Sequence, residues 1–221
     1  KAEEVTSASD FTSLKLENVS FSYGENEVLS GVNLTVNKGD KVLIKGASGA
    51  GKSTLIRVIL NLYSNYSGKV ILTASGKETQ GKTSGVFAFV PQDSKTLTAS
   101  IKENVILGAE FNEERFNFAL ETSHLKEVVN SLENKEETIL NTQTALSEGQ
   151  AQRLSVARAL YSGAPVIVLD EPTSHLDGVS EEALFSSLCG LKDLTVIMVS
   201  HKKESEKHAT AIYTLENKAL N

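Results

Sequence analysis

The stretch "GASGAGKST", from Gly46 to Thr54, combines three glycines with one lysine and three hydroxyl side chains. It fits the pattern G-x-x-x-x-G-K-[ST], and it lies between a short apolar strand pattern, "KVLIK", and a helical pattern. Glycines let consecutive backbone N–H groups turn inward around an anion, and the N-terminus of the next helix adds its positive end. These residue types at this spacing predict a phosphate-binding loop (P-loop) rather than a flexible glycine turn.

We expect this loop to hold a nucleoside triphosphate as its magnesium complex. Lys52 would contact the terminal phosphates, and the hydroxyl of Ser53 would bind Mg2+. The predicted nucleotide-binding residues of the loop are Gly46, Ser48, Gly49, Ala50, Gly51, Lys52, Ser53 and Thr54.

Two carboxylates, Asp170 and Glu171, follow the apolar run "VIVL". This pattern is typical of a buried parallel strand whose carboxyl end opens on a ligand crevice. Taken alone, the pair is better explained as an acidic turn after a strand. The P-loop in the same chain favours Asp170 as a ligand of Mg2+ and Glu171 as the group that orients or deprotonates an attacking water. The two motifs together predict an ATPase or a GTPase of the P-loop class.

The stretch "ALSEGQAQRL" lies at the start of another helical pattern. Ser147 and Gln150 have the S-x-x-Q spacing of a capping box, in which each side chain satisfies a backbone N–H of the first helical turn. The capping box explains this stretch by itself, except that Gly149 lowers helix propensity within the first turn unless a group must approach the backbone there.

"LSEGQAQRLSVARAL", followed closely by "VIVLDEPTSHLD", resembles the signature motif, Walker B strand and D-loop of ATP-binding cassette (ABC) proteins. The resemblance extends over about residues 14–215. Tyr23 is similar to the aromatic residue that stacks on adenine, Gln92 in "VPQD" to the Q-loop glutamine, and His201 in "VSH" to the switch histidine. Without the family, these three residues also fit a packed strand aromatic, a surface residue of a loop and a structural histidine.

The resemblance implies a composite site, in which two cassettes pair head to tail and ATP lies between the P-loop of one and the signature helix of the other. Hydrolysis would then release the pair and drive a change in attached membrane domains. The implied catalytic residues are Glu171, His201, Gln92 and Lys52. The implied ligands of Mg2+ are Ser53, Gln92 and Asp170, and further nucleotide contacts are Tyr23, Ser147, Gly149, Gln150 and Asp177.

The segment "LTASIKENVILG" resembles the one that follows the Q-loop in exporter-type cassettes. The polar lead-in "KAEEVTSASD" fits a domain cut from a chain whose membrane helices come first. We therefore expect export of an unknown substrate, transmembrane domains in the same full-length polypeptide, and a cassette at the cytoplasmic face of the cell membrane. An importer ATPase subunit, a soluble non-transport ABC ATPase and a nucleotide-binding regulatory module with little hydrolysis remain open alternatives.

Glu148 is a departure from the family, because the usual signature motif has glycine at this position. A carboxylate beside a triphosphate is repulsive. We therefore predict that the Glu148 side chain faces solvent or a cation of the partner.

The composition limits the partners. The net charge of -6 disfavours a general nucleic-acid binder, so we expect none. The one cysteine, Cys189, excludes an internal disulfide and is expected to be a small buried hydrophobic residue. The longest apolar runs, "VIVL" and "TVIMV", fall well short of the ~20 residues that a membrane helix needs.

The order of the expected strands and helices predicts an α/β fold, with a P-loop NTPase core of mixed sheet and flanking helices. Residues 1–12 are expected to be a linker or cut point and 13–221 the cassette, with an α-helical subdomain at about 95–157. Strand patterns up to Lys45 predict an antiparallel β subdomain, and the polar residues 74–85 predict a turn or loop. Three helices are expected between 99 and 132, and alternating helices and strands of a parallel sheet from 147 onward.

Overall fold

The computed structural model describes residues 10–80, 85–172, 176–201 and 203–221. Most of the predicted linker lies outside the described residues, and the first strand begins at Phe11. The strands are β1 (Phe11–Tyr23), β2 (Asn26–Asn37), β3 (Lys41–Lys45), β4 (Ser67–Ala74), β5 (Lys77–Gln80), β6 (Phe87–Val90), β7 (Val166–Asp170), β8 (Thr195–Val199), β9 (Ala211–Glu216) and β10 (Ala219–Leu220). The helices are α1 (Lys52–Ile59), α2 (Ile101–Ile106), α3 (Glu113–Thr122), α4 (Lys126–Ser131), α5 (Glu148–Ser162) and α6 (Gly178–Gly190), with 3-10 turns at Lys135–Glu137 and Lys203–His208.

The strands form two sheets. One has four strands in the order β2-β1-β4-β5, and all of its pairs are antiparallel. The other has six strands in the order β10-β9-β3-β8-β7-β6, in which β10 is antiparallel to β9 and the other pairs are parallel. The predicted fold class, a mixed α/β P-loop core with an antiparallel β subdomain and a helical subdomain, is confirmed.

The prediction that β3 continues the antiparallel pattern is wrong, because β3 pairs in parallel with β8 and β9. Residues 41–44 are all buried. An unbroken buried run is typical of a central parallel strand that is covered on both faces, whereas an alternating run is typical of a strand with one wet face.

The predicted loop at 74–85 contains a strand that the sequence did not indicate. Its strand, β5, consists of Lys77–Gln80 and pairs with the edge of β4 across a turn at Ser75 and Gly76, both with positive φ. The side chains of β5 are mostly exposed. Backbone pairing rather than apolar burial holds this strand, so hydrophobic periodicity carries no signal for it.

Strands β3, β7 and β8 each contribute to two cores, because successive side chains of a strand point to opposite faces. On β3, Val42 and Ile44 face a core shared with α1 and the antiparallel sheet, whereas Leu43 faces a core shared with the helices. The three helices predicted between 99 and 132 are confirmed as α2, α3 and α4. Within the described residues, no helix combines the length and apolar composition that crossing a membrane requires.

Candidate functional site

The P-loop leaves the carboxyl end of β3 and enters α1. At Gly51 the backbone has φ 104°, and a Cβ there would lie 2.9 Å from Cγ1 of Val28. A Cβ on Gly46 would lie 2.6 Å from the carbonyl oxygen of Leu215. These two positions therefore require glycine, one for its conformation and both for close approach.

Lys52 lies across the loop that it belongs to. Its ammonium donates hydrogen bonds to the carbonyl oxygens of Gly46, at 2.8 Å, and Ala47, at 2.9 Å, and the residue is buried. The N-cap residue of α1 is Gly51, which has no side chain that could cap the helix. A cation and a helix N-terminus with uncapped N–H groups therefore meet at the same loop, which is the arrangement that binds a phosphate group.

Ser53 and Asp170 meet beside this loop, although 117 positions of sequence numbering separate them. Asp170 is the last residue of β7. Burial raises the pKa of the Asp170 carboxyl, a hydrogen bond with Ser53 works in the opposite direction, and the nearby Glu171 raises the pKa further. A hydroxyl and a carboxylate are hard oxygen donors, and Mg2+ commonly takes one or two such protein ligands with phosphates and waters. These two residues therefore fit Mg2+.

Glu171 has a strained backbone conformation at the end of β7. Its φ of 46° lies in the left-handed region, which costs a non-glycine residue about 1–2 kcal/mol. Its N–H donates to the carbonyl oxygen of Val199 at 3.0 Å, which fixes the turn against β8. The Glu171 Oε1 atom lies 3.4 Å from Nδ1 of His201, the exposed histidine just beyond β8. The strain thus holds a half-buried carboxylate beside a histidine at the edge where the P-loop lies.

Tyr23 ends β1 beside the P-loop helix. Its hydroxyl lies 3.2 Å from Oγ1 of Thr54 and donates to the hydroxyl of Tyr63 at 3.2 Å. The residue remains 44% exposed, so part of its ring is open to a ligand. Tyr63 and its neighbour Arg57 belong to no motif, and the sequence did not single them out.

The signature residues form a second place in the same chain. Ser147 accepts from the N–H of Gln150 at 3.2 Å and its own N–H donates to Oε1 of Gln150 at 2.9 Å, which confirms the predicted capping box. These two residues line a cleft of about 390 Å3, which we call the signature cleft. Its other lining residues are Glu148, Gly149, Arg153, Leu176 and Asp177.

The D-loop residue Asp177 caps α6. Its carboxylate accepts hydrogen bonds from the N–H groups of Val179 and Ser180, and it also accepts from the Ser180 hydroxyl at 2.8 Å. Arg153 of the signature helix donates to that same hydroxyl at 2.9 Å. The signature helix and the D-loop are therefore joined within one chain, as one wall of the cleft.

Two of the predicted site residues are exposed side chains. Gln92 is exposed two residues beyond the end of β6. Ser48 is exposed at the tip of the P-loop. Cys189 packs against the core that contains the helices, and burial raises the pKa of its thiol to about 11, which agrees with the expected small hydrophobic residue.

Comparison with known proteins identifies the family. The family model described as "ABC transporter" matches residues 29–174 of the chain. The chain belongs to the ABC transporter family. The match begins in β2 and includes the P-loop, the signature helix and the two carboxylates at the end of β7.

Relatives of this ABC chain carry names that include transport. It is 31% identical over 220 residues to a probable ABC transporter ATP-binding/permease protein of Haemophilus influenzae, covering 97% of the chain and 40% of that protein. It is 33% identical over 211 residues to a putative multidrug export ATP-binding/permease protein of Staphylococcus aureus, covering 92% and 36%. It is 30% identical over 211 residues to the mesentericin-Y105 transport/processing ATP-binding protein of Leuconostoc mesenteroides, covering 93% and 29%.

A solved structure agrees with the fold of this ABC chain. The structure of a bacterial Atm1-family ABC exporter with ATP bound superimposes with a TM-score of 0.85 at 27% identity, covering 95% of this chain and 38% of that one. The chain thus spans between 29% and 40% of the length of the proteins named here.

Proposed function

We propose that this ABC chain binds ATP with Mg2+ and hydrolyses the ATP in a head-to-tail dimer with a second cassette. We further propose that hydrolysis powers export by transmembrane domains of the same full-length polypeptide, with the cassette at the cytoplasmic face of the membrane. The names of the relatives, which include multidrug export and an Atm1-family exporter, support the direction of transport.

The observation that carries the proposal is the meeting of four groups at one edge of the parallel sheet. The ammonium of Lys52, the Ser53–Asp170 pair and the Glu171 carboxylate lie where β3 and β7 end. The carboxyl ends of parallel strands share an edge, and ligands of α/β sheets bind there.

In the proposed reaction, Lys52 exchanges its bonds to the loop carbonyls for the terminal phosphates of ATP. Ser53, Asp170 and Gln92 would hold Mg2+. The ion, when bound, neutralises charge on the phosphates. Glu171 orients a water on the γ-phosphorus and accepts its proton, so that a P–O bond forms to the water and the bond to ADP breaks. His201 lies beside Glu171 and would contact the γ-phosphate.

The division of the site supports the proposed dimer. The P-loop residues meet Asp170 and Glu171, whereas Ser147, Gly149, Gln150 and Asp177 line a separate cleft. The N-terminus of α5 presents its positive end at that cleft, which suits an anion. A second cassette would supply the triphosphate to it.

The experiment measures phosphate release from ATP by the chain in Mg2+ and in excess EDTA, with Lys52→Ala as the control for contaminating ATPases. We expect release in Mg2+ and a decrease of at least about 100-fold in EDTA, since the ion stabilises the transferred phosphoryl group. Equal rates in both solutions would contradict the Mg2+ site. A chain that binds no ATP would overturn the whole proposal.

A further inference from the structure

Three aromatic rings and one guanidinium form a cluster beside the P-loop helix, which we call the tyrosine cluster: Phe21, Tyr23, Tyr63 and Arg57. The rings of Phe21 and Tyr63 are stacked, with centroids 4.9 Å apart and planes inclined by 13°. The ring of Tyr23 meets both of them edge-on, at 86° to Phe21 and 89° to Tyr63. The plane of the Tyr23 ring is therefore set by two neighbours that are parallel to each other.

A chain of hydrogen bonds fixes the same ring at its hydroxyl. Tyr23 donates to the hydroxyl of Tyr63 at 3.2 Å, and its oxygen lies 3.2 Å from Oγ1 of Thr54. Arg57 donates to the Tyr63 hydroxyl at 3.4 Å, and its guanidinium carbon lies 6.0 Å from the centre of the Tyr63 ring. Hydrogen bonds with Thr54 and Tyr63 lower the pKa of Tyr23.

These polar contacts add little to the fold. The bond between Tyr23 and Tyr63 lies at the surface, where water can replace each partner. The stacking of Tyr63 on Phe21 uses the ring and would be kept by a phenylalanine. The hydroxyls and Arg57 therefore restrict the rotation of the half-exposed Tyr23 ring, which lies beside the P-loop helix.

We propose that Tyr63, held by Arg57, is a positioning residue that fixes the Tyr23 ring in the plane on which the nucleobase stacks. The inference rests on the proposed function, because it requires a nucleotide whose base meets Tyr23. A ring that is already fixed loses less conformational freedom when the base binds, so part of the affinity for the base comes from residues that never contact it.

The test compares two ligands that are not hydrolysed, ADP and inorganic pyrophosphate, because both occupy the P-loop and only ADP has a base. Their dissociation constants are measured by calorimetry for the wild-type chain, Tyr63→Phe and Tyr66→Phe. The last variant is the matched control, since Tyr66 is a half-buried tyrosine three residues further along the same segment. We expect Tyr63→Phe to weaken ADP by about two- to tenfold, the usual effect of one hydrogen bond, and to leave pyrophosphate and the control within about twofold.

A second measurement separates positioning from packing. In a Tyr23→Ala background, Tyr63→Phe should no longer change the affinity for ADP, because the ring on which it acts is gone. Equal weakening of ADP and pyrophosphate by Tyr63→Phe, or an unchanged affinity for ADP, would overturn the inference. A wild-type chain that binds neither ligand would instead overturn the proposed function, so the two failures are distinguishable.

Discussion

At the scale of single residues, Asp170 lies in an environment that opposes its charged state. Burial raises its pKa and the neighbouring Glu171 raises it further, against the hydrogen bond with Ser53. The pKa of this carboxyl is therefore higher in the folded chain than in the unfolded chain, so the protonated carboxyl stabilises the folded state. This contribution is fully present below the unfolded-state pKa and is lost as the pH rises through the folded-state pKa. At neutral pH the charged carboxylate therefore destabilises the ligand-free chain and is suited to a cation.

Asp170→Asn should accordingly raise the melting temperature of the ligand-free chain at pH 7, by roughly 1–4 °C, the shift expected for up to about 1 kcal/mol in a chain of this size. The gain should shrink as pH falls through the raised pKa toward the ordinary aspartate range. The same variant should lose Mg2+-dependent ATP turnover. Asp193→Asn, which removes an exposed carboxylate from a turn, is the control for calorimetry, and a gain that does not depend on pH would contradict this reasoning.

The residues that the sequence could predict here are those of local motifs. Gly51 and Lys52 are adjacent, as are Asp170 and Glu171, so a local sequence pattern can detect them. The contact between Tyr23 and Tyr63 joins residues 40 positions apart. Their meeting depends on how the end of β1 lies against the segment that follows α1, and no spacing within either segment indicates it.

At the scale of elements, two of the described helices begin with a capping box of the same kind. Ser147 and Gln150 begin α5, and Ser100 and Glu103 begin α2. The hydroxyl of each serine accepts a hydrogen bond from a backbone N–H of the first turn. In both boxes the side chain of the third helical residue accepts a hydrogen bond from the backbone N–H of the serine. One box lies at the signature cleft and the other does not line it, so the pair separates a role in the helix from a role in the ligand site.

Ser147→Ala and Ser100→Ala should each lower the melting temperature by about 2–4 °C, because a lost N-cap costs about 1 kcal/mol. Only Ser147→Ala should in addition slow ATP turnover, since its hydroxyl is expected to contact the nucleotide of a second cassette. Thermal unfolding and phosphate release are measured on the same preparations. A similar loss of turnover in both variants would mean that Ser147 acts only as a cap.

The elements also show where sequence patterns fail. Helices α2, α3 and α4 follow apolar spacing and are predicted, whereas β5 is polar and exists through pairing with β4. The direction of β3 depends on its neighbours β8 and β9, which lie more than 150 residues further along the chain. A local pattern can indicate a strand but cannot say which partner it will have.

At the scale of the whole molecule, the proposed nucleotide site has two parts. One lies at the edge of the parallel sheet beside the P-loop, and the other is the signature cleft. Glu148, the residue that departs from the family, is exposed on that cleft. Two like charges 4 Å apart repel by about 4 kcal/mol in a partly solvated site. A carboxylate directed at the γ-phosphate would therefore strongly oppose binding between cassettes.

Because we expect the Glu148 side chain to face solvent or a partner cation, Glu148→Gln should change ATP turnover by less than about threefold. Glu113→Gln is a matched control, since Glu113 is the exposed first residue of α3 as Glu148 is of α5, and both acids meet the positive end of a helix. Steady-state turnover at several chain concentrations checks the prediction. An increase of about 100-fold or more in Glu148→Gln alone would show that the carboxylate faces the phosphate.

The central claim is that Glu171 serves hydrolysis and not binding, and one comparison tests it most directly. ATP affinity and phosphate release are measured for the wild type, Glu171→Gln and Glu216→Gln, the last an exposed acid on β9. We expect Glu171→Gln to lower phosphate release by at least about 100-fold, the contribution of a general base, with ATP affinity within about threefold of the wild type. Turnover retained in Glu171→Gln would contradict the role of this residue. ATP binding without hydrolysis in both the wild type and Glu171→Gln would contradict the proposal that the chain is an ATPase.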